Sequence, residues 1–294
     1  MKLNKLYILC WSLVALVLVS CDPVQSKPVL SVSILPQKYF LEKIVGDKYD
    51  VQCLLSKGGN PEAYEPSLNN LMNLEKSQAY FCMGNLGFEL AVMNKVKSNT
   101  PNLQLIDCSE GIELLQGTHS GVMLEEKKCD HGHSHEVDPH VWTSVENAKV
   151  IVENMYKSIL ELDSSNKSYY AKRYNALVNE LSELGHELDS VLAHKRGTAF
   201  AVWHPSLSYF ARDYGLEQIA MECEGKEVPA SVLKAEIDMA KEKRVKVLFY
   251  QRDFDNRQVQ TINEGVNAQL VEINPMNYEW AEEMRLIAYA IAAE

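Results

Sequence analysis

Three features are missing from this 294-residue chain, and each absence excludes something. Its seven cysteines contain no C-x-x-C pair and fall at irregular spacings, so they are neither a zinc ribbon nor a disulfide framework. It has no basic stripe: 29 lysines and arginines stand against 40 aspartates and glutamates, a net charge of −11 that repels phosphate backbones and argues against nucleic acid as a partner. It has no G-x-S-x-G and no phosphate-cradling glycine loop, the usual marks of a serine hydrolase or a nucleotide-binding enzyme. What is present is a chain 46% hydrophobic and 23% charged, a composition that packs a core. At roughly 150 residues per domain, the length suits about two ordinary domains or one large one.

The first twenty residues stand apart. Lys2 and Lys5 precede an uncharged apolar run, residues 6–19, which is too short to span a bilayer as a helix and suits a secretory signal. The run ends in Leu18-Val19-Ser20-Cys21, which resembles the lipobox of bacterial lipoproteins, where the cysteine is diacylated and becomes the first residue. The expectation is that residues 1–20 are removed and Cys21 is lipidated; a plain signal peptide with an incidental cysteine is the alternative. Losing Lys2 and Lys5 and no acid moves the charge from −11 to −13. Cys53, Cys82 and Cys108 lie in or beside apolar runs and read as buried small hydrophobes, which leaves Cys129, next to a histidine cluster, as the cysteine with a metal role in reach.

From Val29 onward, short apolar runs alternate with amphipathic ones. "VLSVSIL", "YDVQCLL", "AYFCM" and "LQLID" read as strands, with helices over 36–45, up to about 75, and near 86–97. A second series follows Gly197: "TAFAV", "LEQIAM", "VKVLFY" and "AQLVEI", with helices over 206–214, 230–243, 256–265 and about 278–292. Such alternation predicts two α/β lobes with mostly parallel sheets. Between them, residues 164–195 contain no proline and one glycine, and Tyr170, Tyr174, Leu177, Leu181, Leu184, Leu188 and Val191 recur at spacings of four and three. This segment reads as one long helix packed along both lobes, with a coiled-coil dimer as the rival. The expected layout is an N-terminal lobe over 28–163 with a His-rich loop at 129–136, a linking helix over 164–195 and a C-terminal lobe over 196–294.

In open α/β sheets, ligands collect beyond the carboxyl ends of the strands. Glu62, His140, His204 and Asn274 all fall there, from both lobes. His140 is preceded by Pro139 and His204 is followed by Pro205, so both imidazoles are presented from stiff turns, as a preformed metal site requires. The stretch "CDHGHSHEVDPHVW" places four of the chain's eight histidines within ten residues. His135-Glu136 begins to look like H-E-x-x-H, but the next histidine is five residues on and follows a proline, whereas that motif needs two histidines four apart on one helical face. A zinc metallohydrolase is therefore disfavoured.

At these residues the chain resembles the solute-binding lipoproteins of bacterial ABC importers for zinc and manganese. The resemblance is carried in order by "GGNPEAYEP", "DPHVWTSVENA", "VWHPSLSYFARDYGL" and "EGKEVPASVLKAEIDMAKEKRVKVLFYQRDF", and covers nearly all of the chain after residue 20. It implies two Rossmann-like α/β lobes joined by one long rigid helix, metal bound between them, no catalysis, and a membrane permease as partner. It further implies a lipid-anchored monomer in the periplasm or on the cell surface. By the same resemblance, His140 belongs to the main site, with His204 and Glu62 and with the Asn274 carbonyl or a water in the remaining place, and His131, His133 and His135 form a loop that gathers metal at its mouth. Glu62 stands where the family usually has a histidine, and Asn274 where many members have an acid. Two imidazoles and a carboxylate suit Zn2+, with Mn2+ the alternative. A lipid-anchored adhesin would share the same site.

Overall fold

The computed structural model describes residues 27–55, 61, 64–100, 103–117, 137–222, 230–252 and 256–293. The expectations for Cys21, Glu62, Cys129, His131, His133 and His135 lie outside the described residues.

Short runs rich in β-branched and aromatic residues form the strands, and a helix returns the chain between successive ones, so neighbours run parallel. β1 (Val29–Val32), β2 (Asp50–Cys53), β3 (Ala79–Cys82) and β4 (Gln104–Asp107) form one sheet in the order β2-β1-β3-β4. Helices α1 (Leu35–Val45), α2 (Leu68–Glu75) and α3 (Gly87–Asn99) connect them. β5 (Ala199–Val202), β6 (Glu217–Ala220), β7 (Val247–Tyr250) and β8 (Gln269–Glu272) repeat the scheme as β6-β5-β7-β8. In this second lobe the returns are α6 (Ser208–Tyr214), α7 (Ala230–Glu242) and α8 (Asn256–Val266), and α9 (Trp280–Ala292) closes the chain. The strand order reverses beside β1 and beside β5, and each reversal opens a crevice at the carboxyl ends.

The sequence reading contains no helix between the fourth strand and the linking segment, and the structure has one of 18 residues, α4 (Val145–Leu162). Ser144 caps it by accepting the Asn147 N–H at 3.0 Å, and Val145, Ala148, Ile151, Val152, Met155 and Ile159 bury one face. The chain then turns at 163–166 into α5 (Lys167–Leu192), which runs back antiparallel to α4. Three contacts fix that direction: the Tyr170 hydroxyl donates to Asp163, the rings of Tyr156 and Tyr174 stack at 4.1 Å, and Gly185 faces Val145.

With 26 residues, α5 extends about 39 Å at 1.5 Å per residue, and it packs against α1 of the first lobe and α9 of the second as well as α4. Tyr170, Leu177, Leu181, Leu184 and Leu188 are buried as the seam predicts; at its far end Leu192, rather than Val191, takes the buried place. The seam is thus covered within the chain, and the two α/β lobes joined by one long helix are present.

One hydrophobic core runs from the first sheet across α4, α5 and α9 to Phe200, Val202 and Phe249 on the near face of the second sheet. The alternate strand residues Ala201 and Leu248 point to a smaller core with Val259 and Ile262. Two buried tryptophans tie the lobes together: Trp142 Nε1–H donates to the Pro275 carbonyl at 2.9 Å, and Trp280 Nε1–H donates to the Trp142 carbonyl at 2.8 Å. The cysteines behave as small hydrophobes, Cys82 and Cys108 buried and Cys53 half-buried, and burial pushes the Cys53 and Cys82 thiols up to about 12. Among the described residues no helix is long and apolar enough to cross a membrane.

Candidate metal centre

His140 reaches the crevice from a turn that its own sequence builds. Asp138 Oδ1 accepts the His140 backbone N–H at 2.8 Å across Pro139, an Asx turn, and the chain then enters a single 3₁₀ turn, Val141–Thr143, ahead of α4. The same Oδ1 lies 2.9 Å from His140 Nδ1. Burial alone would raise the Asp138 carboxyl; the His140 imidazole and its hydrogen bonds outweigh that and hold it below the usual carboxylate range.

His204 reaches the same place from the other lobe. It follows β5 by two residues, and its Nδ1 lies 2.5 Å from Glu222 Oε1. A carboxylate only accepts, so Nδ1 donates in both pairs and Nε2 is the ring nitrogen turned towards the cavity. The two Nε2 atoms face each other at 3.2 Å. Tetrahedral bonds of 2.0–2.1 Å place two nitrogen donors about 3.3–3.4 Å apart, so this separation fits two ligands of one first-row ion. Both imidazoles are almost fully buried, 4% and 6% exposed, so neither is an ordinary solvated surface histidine.

Pro61, Trp142, Ser206, Gln251, Pro275 and Met276 complete the walls of a cavity of about 20 Å³, the scale of one small ion or water. Pro61 is the residue before Glu62. Asn274 occupies a different position from its neighbours Pro275 and Met276: it is exposed, its Oδ1 accepts the Met276 N–H at 3.1 Å and its main-chain carbonyl accepts the Asn277 N–H at 2.8 Å. Its own N–H donates to Glu283 Oε1 at 2.6 Å. The structure therefore brings His140 and His204 together and places Asn274 in the turn behind the wall. His186, expected as an ordinary helix residue, is exposed on α5. Among the described residues no group of three or more His, Cys, Asp or Glu side chains is gathered to hold a metal.

The sequence reading missed the roles of Asp138 and Glu222. Asp138 was legible as an acid directly before a Pro-His pair, two residues ahead of the histidine, the spacing of an Asx turn. Glu222 becomes visible only once β6 is known to pair with β5.

Comparison with known proteins fits this geometry. The family described as zinc-uptake complex component A, periplasmic (ZnuA), matches residues 30–291. The chain is 25% identical over 285 residues to zinc-binding lipoprotein AdcA of Streptococcus pneumoniae (strain ATCC BAA-255 / R6), covering 93% of this chain and 56% of that protein, so it spans little more than half of that relative's length. It is 27% identical over 244 residues to the high-affinity zinc uptake system protein ZnuA of Bacillus subtilis (strain 168), covering 82% of this chain and 76% of that one. A crystal structure of ZnuA superposes with a TM-score of 0.81 at 34% identity, over 91% of this chain and 99% of the other. FpvC from Pseudomonas aeruginosa in complex with Mn2+ shares the fold, with a TM-score of 0.78 at 24% identity over 91% and 98%.

Proposed function

The chain belongs to the family of periplasmic component A proteins of zinc-uptake complexes, and on that premise we propose that it is the extracytoplasmic metal receptor of an ABC importer. It holds one divalent transition metal between its lobes and delivers it to a membrane permease, as a transport component without a catalytic step. The observation that carries this reading is the pair of buried Nε2 atoms facing each other at 3.2 Å, each imidazole backed by a carboxylate. Carboxylate–histidine–metal arrangements of this kind fix ring orientation and raise donor strength. Zinc is the favoured cargo, because two imidazoles suit it and it binds nitrogen-containing sites more tightly than manganese does.

Glu62 supplies the third donor in this reading, supported by Pro61 on the cavity wall, and Asn274 joins only if its carboxamide releases the Met276 N–H. His131, His133 and His135 gather metal without forming the tight site, and Cys21 carries a lipid anchor that holds a monomer at the membrane, a point that detergent-free fractionation reads directly. Titration of metal-stripped protein with zinc and manganese tests the site. His140→Ala and His204→Ala should each lose the tight equivalent, while serine at 131, 133 and 135 together should lose only a weak second one. Glu62→His should widen the preference for zinc, and Asn274→Asp should shift it towards manganese. Tight binding that survives both alanine variants would move the site elsewhere.

A further inference from the structure

Glu222 enters the metal reading as the carboxylate behind His204, and its position is set by the sheet itself. β5 and β6 pair in register with Val202 opposite Ala220. The pairing continues beyond the strands, since the Met221 N–H donates to the Val202 carbonyl at 2.9 Å and the Glu222 N–H to the Trp203 carbonyl at 3.2 Å. Two residues past the last pair, His204 therefore stands opposite Glu222 at the carboxyl edge, and both are buried. The contrast with Asp138 is informative. Asp138 also accepts the main-chain N–H of His140, so losing its carboxylate would unmake the turn that presents His140. Glu222 reaches His204 from the edge of a separate strand, and among the described residues its carboxylate accepts no main-chain N–H.

We propose that Glu222 is a positioning and specificity-determining residue of the metal site: it holds His204 with Nε2 towards the ion and strengthens that nitrogen as a donor. The inference rests on the reading of His204 as a ligand. An acceptor at Nδ1 fixes the tautomer, and the negative charge behind the ring makes Nε2 more basic. A stronger nitrogen donor favours zinc more than manganese, because manganese lies at the weak end of the affinity series for such donors and is better served by oxygen. Glu222 thereby biases the site towards zinc without touching the metal.

The test uses metal-stripped full-length protein carrying Glu222→Gln, Glu222→Ala or His204→Ala, with zinc and manganese affinities from competition and the visible absorption of the Co2+-loaded form. Glu222→Ala should weaken zinc about 10- to 100-fold, the range for such outer partners, and manganese less, with a shifted Co2+ spectrum. Glu222→Gln keeps a neutral acceptor of the same shape, so it should fall between wild type and alanine, and it keeps the test decisive if the alanine variant does not fold. A purely structural role would instead lower the thermal midpoint of the metal-free protein, weaken both metals equally and be fully rescued by glutamine; that result overturns the proposal, as does an unchanged zinc-to-manganese ratio. If His204→Ala binds zinc as tightly as wild type, the underlying ligand assignment fails. If His204→Ala loses zinc while both Glu222 variants keep it, only the role of Glu222 fails.

Discussion

Glu89 shows how much one buried side chain contributes away from the metal. It is fully buried in the first turn of α3, where it accepts the Met83 N–H at 2.7 Å, the Leu86 N–H at 3.4 Å and a short bond from the Ser33 hydroxyl, which also contacts the Tyr80 hydroxyl at 2.7 Å. Burial dominates these bonds and pushes its carboxyl up from 4.5 to about 7. Between those pH values the folded form holds a proton that the unfolded form has lost, so stability falls as pH rises through that window, by on the order of 3 kcal/mol in all. Thermal midpoints of metal-free protein at pH 5 to 8 should therefore decline more steeply in wild type than in Glu89→Gln, and equal slopes would show that Glu89 does not titrate there. The site residues differ from Glu89 in how far the sequence exposes them. His140 and His204 were legible because a proline beside each histidine marks a stiff turn. Glu222 was not, because its partner is set by strand register, which no local pattern encodes.

Elements were legible where one periodicity ran uninterrupted. The eight strands and the seam of α5 are legible within a residue or three of their observed bounds, whereas α4, lying between the histidine cluster and the linking segment, is absent from the sequence reading. Its signals were present: Ser144 three residues before Asn147, then apolar residues at spacings of three and four from Val145 to Ile159. The cost of missing it was structural, since α4 is the partner that covers much of the α5 seam. Gly185 lies inside that hairpin, and a Cβ there would meet Val145 Cγ1 at 3.4 Å, an ordinary contact. Gly185→Ala should therefore recover helix propensity and raise stability by about 0.5–1 kcal/mol, read as a higher denaturant midpoint at an unchanged slope. A drop in stability would mean that α4 and α5 pack too closely at this point to admit a methyl group.

At the scale of the whole molecule, the lobes are joined too firmly for the metal to close them like a hinge. α5 lies along both lobes, the main core is continuous from one sheet to the other, and the hydrogen bonds from Trp142 to Pro275 and from Trp280 to Trp142 cross between the lobes. The Tyr278 hydroxyl also donates to Glu42 at 2.6 Å, and its ring meets Tyr39 edge-on at 5.9 Å. Metal binding should therefore appear as stabilisation and hardly at all as a change of shape. With free zinc at a thousand times its dissociation constant, linkage gives about 4 kcal/mol, so the unfolding midpoint should rise on loading and fall again with a chelator, while the radius of gyration from solution scattering stays unchanged. Trp280→Phe sharpens the test, because it keeps most of the ring and removes the N–H that the buried Trp142 carbonyl accepts, a loss of about 1–3 kcal/mol. If the joint presets the two imidazoles, this variant should also bind zinc more weakly, since part of the binding energy would go into restoring their 3.2 Å separation. A wild type that contracts on loading, or a Trp280→Phe variant that loses stability but no affinity, would show that the imidazole pair is assembled by the metal rather than by the fold.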